Sequence, residues 1–594
     1  MGVYRTHDIM AAMSIEAYFL GAKSENADSV RRAFDEILRH WFDWRSERFP
    51  DDDNVISDAE RKSEKFSIEN ERLHTALKAL CDMLLAETPT FTPRYLSHML
   101  SEASLPALFG HLAALLHNPN NTSREVSRVG ARVEVEAIAM LADMIGFNSA
   151  KAQGHFTSGG TIANFEAVWR ARYRIDHALA LGLVAAEKSR MPFSAFESAH
   201  MGWAAFDRLR LRDATSELAT RAASSVLCNP LEIAERISKC SRRSYRGPVL
   251  ITPGSKHFSW RKAANIFHLG EESLWNAPLD NEGRLDMGEL QTLIEKARRE
   301  DRPIIAVVSV AGTTEAGEID PIDSVTSVLN EYRLNGIHIW HHVDAAYGGY
   351  FCSMLGSELE KILDDGRSAA LKAIRLADSV TIDPHKLGYV PYACGAFLTR
   401  DERLYTASTF NAPYIDRAEI GDKWQSTIEG SRTAAGAAAT WLSGRTMGFE
   451  PDCFGAFMAS TINARRIFAK AITSQCKNVA VLEPADTNIL CFSIGKKGDS
   501  LSYSNKRTDY VFGLFQKDPS FSVSKTVFDV ENYCRLVEAH AKRHEMALDD
   551  GKLSLIRCVF MNPFLPKGEV LEKFLPKFIA RLNFYAEQAL ELCD

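Results

Sequence analysis

The chain has 594 residues, 46% of them hydrophobic and 25% charged, with a formal net charge of −7. That length outgrows a single hydrophobic core, so two or three domains are expected, and the acidic balance excludes a general attraction to nucleic acid or anionic membrane. No apolar run is long enough to span a bilayer, Met1 to Gly21 lacks the basic-then-apolar order of a signal peptide, and the 11 Cys show no CxxC spacing; together these point to a cytoplasmic protein with reduced thiols and no metal cluster.

In chain order, residues 1–60 read as helices ending in the charged piece Phe49-Pro50-Asp51-Asp52-Asp53-Asn54, and 64–87 as a further helix. Phe91 to Met99 reads as a loop entering a helix. Val133, Ala137, Met140, Leu141 and Met144 fall at helical spacing and make a core stripe over 133–145. The turn Ser158-Gly159-Gly160-Thr161 opens a helix with Ile162, Phe165, Val168 and Trp169 on one side, and the chain then stays helical and charged to about 245. Strands expected at 249–252, 304–310, 337–343 and 380–382 alternate with helices near 259–266, 287–299, 322–333 and 367–377, and a further apolar strand covers 395–398. Such alternation predicts an α/β domain with a mainly parallel sheet and functional groups at strand C-terminal ends. From about 436, a long helix, strands within 479–492, more helices and a strand near 553–560 predict a smaller α+β domain.

Chemistry concentrates around Ser379 to Thr399. Lys386 follows the buried strand 380–382 through the polar run Asp383-Pro384-His385. Taken alone it reads as a snorkelling Lys, but an ammonium is costly to bury, and the neutral amine is the form that makes Schiff bases. Asp344 ends the preceding strand, and a Lys with an Asp partner for a pyridinium nitrogen is the pattern of pyridoxal phosphate (PLP) chemistry. Gly159 and Gly160 let backbone approach an anion at a helix start, where Thr161 can cap the helix or donate its hydroxyl; alone, this turn is as well explained by ordinary capping. Arg557, entering an apolar strand, reads either as an interdomain ion pair or as a fork for a carboxylate. Arg403 to Thr427 lacks strong periodicity, as a closing lid would.

HVDAAY at 342–347 with DPHK at 383–386 resembles the group II PLP-dependent amino-acid decarboxylases, and TIDPHKLGYVPY is most similar to the long bacterial tyrosine decarboxylases. The resemblance covers residues 90–450 and returns near Arg557. It implies the type I fold of PLP-dependent transferases (aspartate-aminotransferase-like), with a helical segment 1–130 at a dimer interface, a large PLP-binding domain 131–435 and a small domain 436–594. It also implies a homodimer with shared active sites acting on a small-molecule amino acid.

By the same resemblance, Lys386 carries the cofactor and Asp344 faces its ring nitrogen, with the small Ala346 beside the ring. His257 stacks on the ring, Thr314 lies near its phenolate oxygen, and Asp383 and His385 flank the Lys. Gly160, Thr161, His385 and, from the neighbouring subunit, Ser431 serve the phosphate. Arg557 takes the substrate carboxylate, His98 and Tyr392 line the side-chain pocket, and Tyr414 is the lid acid. The expected reaction is decarboxylation of L-tyrosine or a related aromatic amino acid. The alternatives are glutamate or aspartate decarboxylation, a C–C lyase of the same fold, and a PLP-fold protein without catalysis.

Overall fold

β-branched and apolar runs that are buried on both faces form the centre of the protein. The computed structural model describes residues 14–189, 192–211, 216–408 and 423–592. Its strands are β1 (Tyr95–Leu96), β2 (Gln153–Thr157), β3 (Val249–Pro253), β4 (Leu274–Ala277), β5 (Ile304–Val310), β6 (His341–Asp344), β7 (Ser379–Ile382), β8 (Gly395–Thr399), β9 (Val479–Val481), β10 (Ile489–Ile494), β11 (Ser522–Asp529) and β12 (Lys552–Val559).

Seven of these form one sheet in the order β2-β8-β7-β6-β5-β3-β4. β8 alone runs against its neighbours β2 and β7, and the remaining ladders are parallel. All seven residues of β5 are buried, as central strands covered by helices on both faces require. The five-stranded second sheet, β1-β11-β12-β10-β9, is antiparallel except for the β1–β11 pair.

Several expectations change. Helices appear at Ser259–Ile266, Met287–Arg299 and Ile322–Leu334 as anticipated. The strand expected over 337–343 starts only at His341 and runs to Asp344. The reason is upstream: Ile337 bridges Met201, and the His338 N–H donates to His200 O at 2.7 Å, so the first residues are held outside the main ladder. The long helix expected from 436 is two helices, Ala435–Met447 and Ala456–Gln475, broken where Gly448 turns left-handed (φ +66°) ahead of Pro451. β1, β2, β4 and β11 lack the alternation that marks a strand; β1, read as loop, belongs by pairing to the C-terminal sheet. The charged stretch after Thr161 is the 30-residue helix Gly160–Ser189, largely buried, wrapped by Ala195–Ala199, Trp203–Leu211, Ser216–Arg221 and Pro230–Ser241.

No helix among the described residues is long and apolar enough to cross a membrane. The ten described cysteines are free.

Candidate active site

In an open parallel sheet the strand ends leave a crevice at their C-terminal side. Here a cavity of about 360 Å³ lies there, bordered by the residues just beyond β2, β3, β5, β6 and β7. Gly160, Thr161, His257, Thr314 and Asp344 line it together with Ala346, Asp383, His385, Lys386 and Tyr392. Sequence reasoning had picked all ten from separate stretches, and the fold brings them to one place.

The turn after β2 has Gly159 at φ +152° and packs tightly: a Cβ on Gly160 would stand 2.7 Å from Asp383 Oδ2, so only glycine fits. The helix begins at Gly160, which puts Thr161 inside its first turn rather than at the cap. The first N–H groups of a 30-residue helix therefore open onto the cavity beside the Thr161 side chain, an arrangement that attracts an anion.

Lys386 Nζ lies 3.2 Å from Asp383 Oδ2, and its side chain is 21% exposed. Asp383 also faces His385 Nε2 at 3.5 Å, while its Oδ1 is buried without a hydrogen-bond partner. The Cys394 N–H donates to His385 Nδ1 at 3.0 Å, and the Tyr392 ring stacks on the imidazole at 4.2 Å. Burial lowers the His385 pKa against the opposing pull of Asp383. It pushes the Tyr392 hydroxyl up to about 12, with Asp383 adding to the effect.

Asp344 is 5% exposed and richly held. Its Oδ2 accepts from Asn164 Nδ2 at 2.8 Å and from Trp260 Nε1 at 3.2 Å, and its Oδ1 from the Ala346 N–H at 3.3 Å. Three donors fix the direction of the carboxylate. His257 Nδ1 lies 2.9 Å from Ser259 Oγ, and burial lowers the imidazole pKa, opposed by Asp344. Ser255 Oγ is buried in the same wall without a partner.

Three of the remaining residues stand elsewhere. Arg557 lies on β12 beside Cys491 of β10 and Ser524 of β11. Its Nη1 donates to Ser524 Oγ at 3.2 Å and to Ser97 O at 3.4 Å, and its Nε is buried without a partner. It does not line the cavity, but the wall is close: Cys491 Sγ contacts Glu315 O at 3.7 Å, next to Thr314. Burial pushes the Glu315 carboxyl up to about 7, against its own backbone N–H, Arg557 and Lys256. His98 is exposed, with its pKa lowered by partial burial and by Arg557. Ser431 is exposed, does not line the cavity, and accepts from Asn120 Nδ2 at 3.0 Å. Tyr414 lies outside the described residues.

Asn164 and Trp260 were not singled out from the sequence. Asn164 stands one turn after Gly160 on the same helix, and Trp260 stands in the first turn of the helix that follows His257; those spacings were the available signal.

A model of the pyridoxal-dependent decarboxylase conserved domain matches residues 233–495. The L-tyrosine decarboxylase of Levilactobacillus brevis is 28% identical, covering 95% of this chain and 95% of its own. That of Enterococcus faecium is 27% identical, over 96% and 98%. Among solved structures, Catharanthus roseus tryptophan decarboxylase in complex with L-tryptophan superposes with a TM-score of 0.61 at 15% identity, covering 94% of this chain and 98% of its own.

Proposed function

We propose that the chain is a pyridoxal-dependent decarboxylase of type I fold with PLP as cofactor, as the matching domain and the full-length relatives support, and that it converts L-tyrosine to tyramine and CO2. The observation that carries the reading is the meeting of Lys386, Asp344, His257 and the Gly159-Gly160-Thr161 turn around one cavity. The residues present fit the cofactor. The helix start and Thr161 suit its phosphate, the Asp344 carboxylate its ring nitrogen and the Lys386 amine its aldehyde. Ser255 Oγ and Asp383 Oδ1, without a partner among the described residues, offer further polar contacts.

When bound, the cofactor supplies a protonated pyridine ring that takes up the electron pair left as the Cα–carboxylate bond breaks. Asp344 holds the proton on that ring nitrogen. His257, Ala346 and Thr314 shape the ring's surroundings, and His385 joins Gly160 and Thr161 at the phosphate. Arg557 takes the substrate carboxylate through a planar fork whose Nε is still unpaired. CO2 leaves, and a proton from Tyr414 takes its place at Cα. His98 and Tyr392 accommodate the phenolic side chain.

A homodimer completes the site. The helices Ala27–Glu47 and Glu64–Leu84 support this reading: no residue of the second is buried. It shows Leu73 (63% exposed), Leu77 (52%), Leu80 (49%) and Leu84 (52%) at helical spacing. Such a stripe is what a second copy would cover, and Ser431 would then serve the neighbouring phosphate. The free thiols fit a reducing cytoplasm.

The test is a screen of the common amino acids with PLP-loaded protein, measuring CO2 and amine. The reading expects L-tyrosine to give the highest kcat/KM and equal yields of the two products. A clear preference for glutamate or aspartate contradicts it.

A further inference from the structure

Beneath the cavity a chain of hydrogen bonds runs through side chains that have no role in the reading above. It starts at Trp340, whose indole N–H can only donate and does so to Ser379 Oγ at 2.8 Å. Ser379 Oγ also lies 2.8 Å from His342 Nδ1. The serine hydroxyl can accept from Trp340 and still donate its own proton to that nitrogen; His342 Nε2 is then the protonated one, 3.4 Å from Asn164 Oδ1 and 3.3 Å from Thr381 Oγ1.

The opposite end gives the same polarity. A carboxylate only accepts, so the group 2.8 Å from Asp344 Oδ2 must be the Asn164 amide nitrogen, which turns its oxygen to His342. The second hydrogen of that amide reaches Ser259 Oγ at 3.0 Å. His257 Nδ1 accepts the Ser259 backbone N–H at 3.3 Å, so the Ser259 hydroxyl, 2.9 Å away, is a second donor to the same nitrogen. Trp340, Ser379, His342, Asn164 and Ser259 are all 2% exposed or less, so solvent cannot stand in for a missing partner.

We propose that Asn164 is a positioning residue whose single amide aims the Asp344 carboxylate at the cavity and, by orienting the Ser259 hydroxyl, backs the Ser259 N–H in holding His257 as the neutral Nε2–H tautomer. This rests on the reading of Asp344 and His257 as cofactor contacts. Asn164 stands one turn along the helix whose first residues border the cavity, so one element carries both the anion turn and the amide.

A double-mutant cycle on the full chain tests it: wild type, Asn164→Ala, Asp344→Ala and the double variant, each titrated as apoprotein with PLP. Thermal midpoints serve as the fold control. Losing a hydrogen bond to a buried charge predicts that Asn164→Ala weakens PLP binding roughly ten- to a hundredfold in the wild type. In the Asp344→Ala background the same change should cost less than about threefold, because its partner is gone. Equal losses in both backgrounds overturn the proposal and leave Asn164 a packing residue. No loss from Asp344→Ala alone overturns the reading of the site, and the proposal with it.

The His257 arm has its own readout. Nitrogen-15 spectra of histidine-labelled protein, subtracted against His257→Gln, should show His257 protonated at Nε2 in the wild type and a partial shift toward Nδ1–H in Ser259→Ala, where the backbone N–H of residue 259 remains the one donor to Nδ1. This holds even where Asn164→Ala does not fold. A wild-type His257 protonated at Nδ1 reverses the chain and contradicts the proposal.

Discussion

The wall of the cavity built by the parallel sheet draws on five strand ends of one sheet, whereas Arg557 stands on β12, His98 in the loop after β1 and Ser431 in the loop before Ala435–Met447, and none lines the cavity. The first group is locked by buried hydrogen bonds, above all those to Asp344. Among the second group, His98 and Ser431 are exposed and Arg557 keeps an unpaired Nε. Adjacent parallel strands deliver their ends to the same crevice whatever else surrounds them, so this wall of the cavity is complete within one chain. Under the proposed function, what remains comes from the C-terminal sheet, the lid and a second copy, whose Ser431 reaches the cofactor phosphate.

The sharpest way to separate the halves is Lys386→Ala. Under the proposed function it should abolish CO2 release while leaving the thermal midpoint and the proposed dimer intact, because there the lysine bonds the cofactor rather than packing the core. Retained turnover with added PLP would remove the lysine from the chemistry. Tyr414→Phe acts on the other half. It should still release CO2 but lose amine formation by about 10² to 10⁴-fold, the scale of general acid catalysis, with a carbonyl by-product taking its place. Equal amine and CO2 from this variant would shift the proton to His257.

A third prediction concerns the exposed stripe. Replacing Leu77 and Leu80 together by Lys should raise the dimer dissociation constant by at least about a hundredfold, since each buried Leu contributes about 1.5–3 kcal/mol. PLP binding by the resulting monomer should survive better than its activity. A variant that stays dimeric by light scattering would take the stripe out of the interface.

The smallest effect lies in the scaffold of the parallel-sheet half. His200 Nε2 accepts the Ile304 N–H at 2.9 Å, and burial holds the imidazole pKa down to about 3. The unfolded chain takes up this proton from about pH 6.5 downward, while the folded chain does not. Its contribution is therefore complete above pH 6.5 and is lost as the pH falls. Between pH 7 and 5, wild type should lose about 2 kcal/mol more stability than His200→Gln, as read from denaturant midpoints. Parallel losses would deny His200 this role.

What was legible in the sequence follows the same division. β3, β5 and β7 announced themselves as apolar runs, and the residues after them carried recognisable chemistry. Gln153–Thr157 and Tyr95–Leu96 lack alternation, and their strand character comes from the partners they meet, β8 and β11. The split after Met447 was readable in principle from Gly448 and Pro451. Asn164 stayed hidden because an amide inside a long helix has no local signature; its role exists only where β6 brings Asp344 and His342 against that helix. Arg557 was found, yet its distance from the cavity could not be, since that depends on how the C-terminal sheet meets Glu315.

The most direct measurement is to reduce the PLP-loaded protein with borohydride, digest it and locate the cofactor by mass. The account predicts a single pyridoxyl-phosphate adduct on the peptide containing Lys386, with the absorbance of the loaded enzyme lost on reduction. An adduct on another lysine, or none, would contradict the placing of the site at the end of β7.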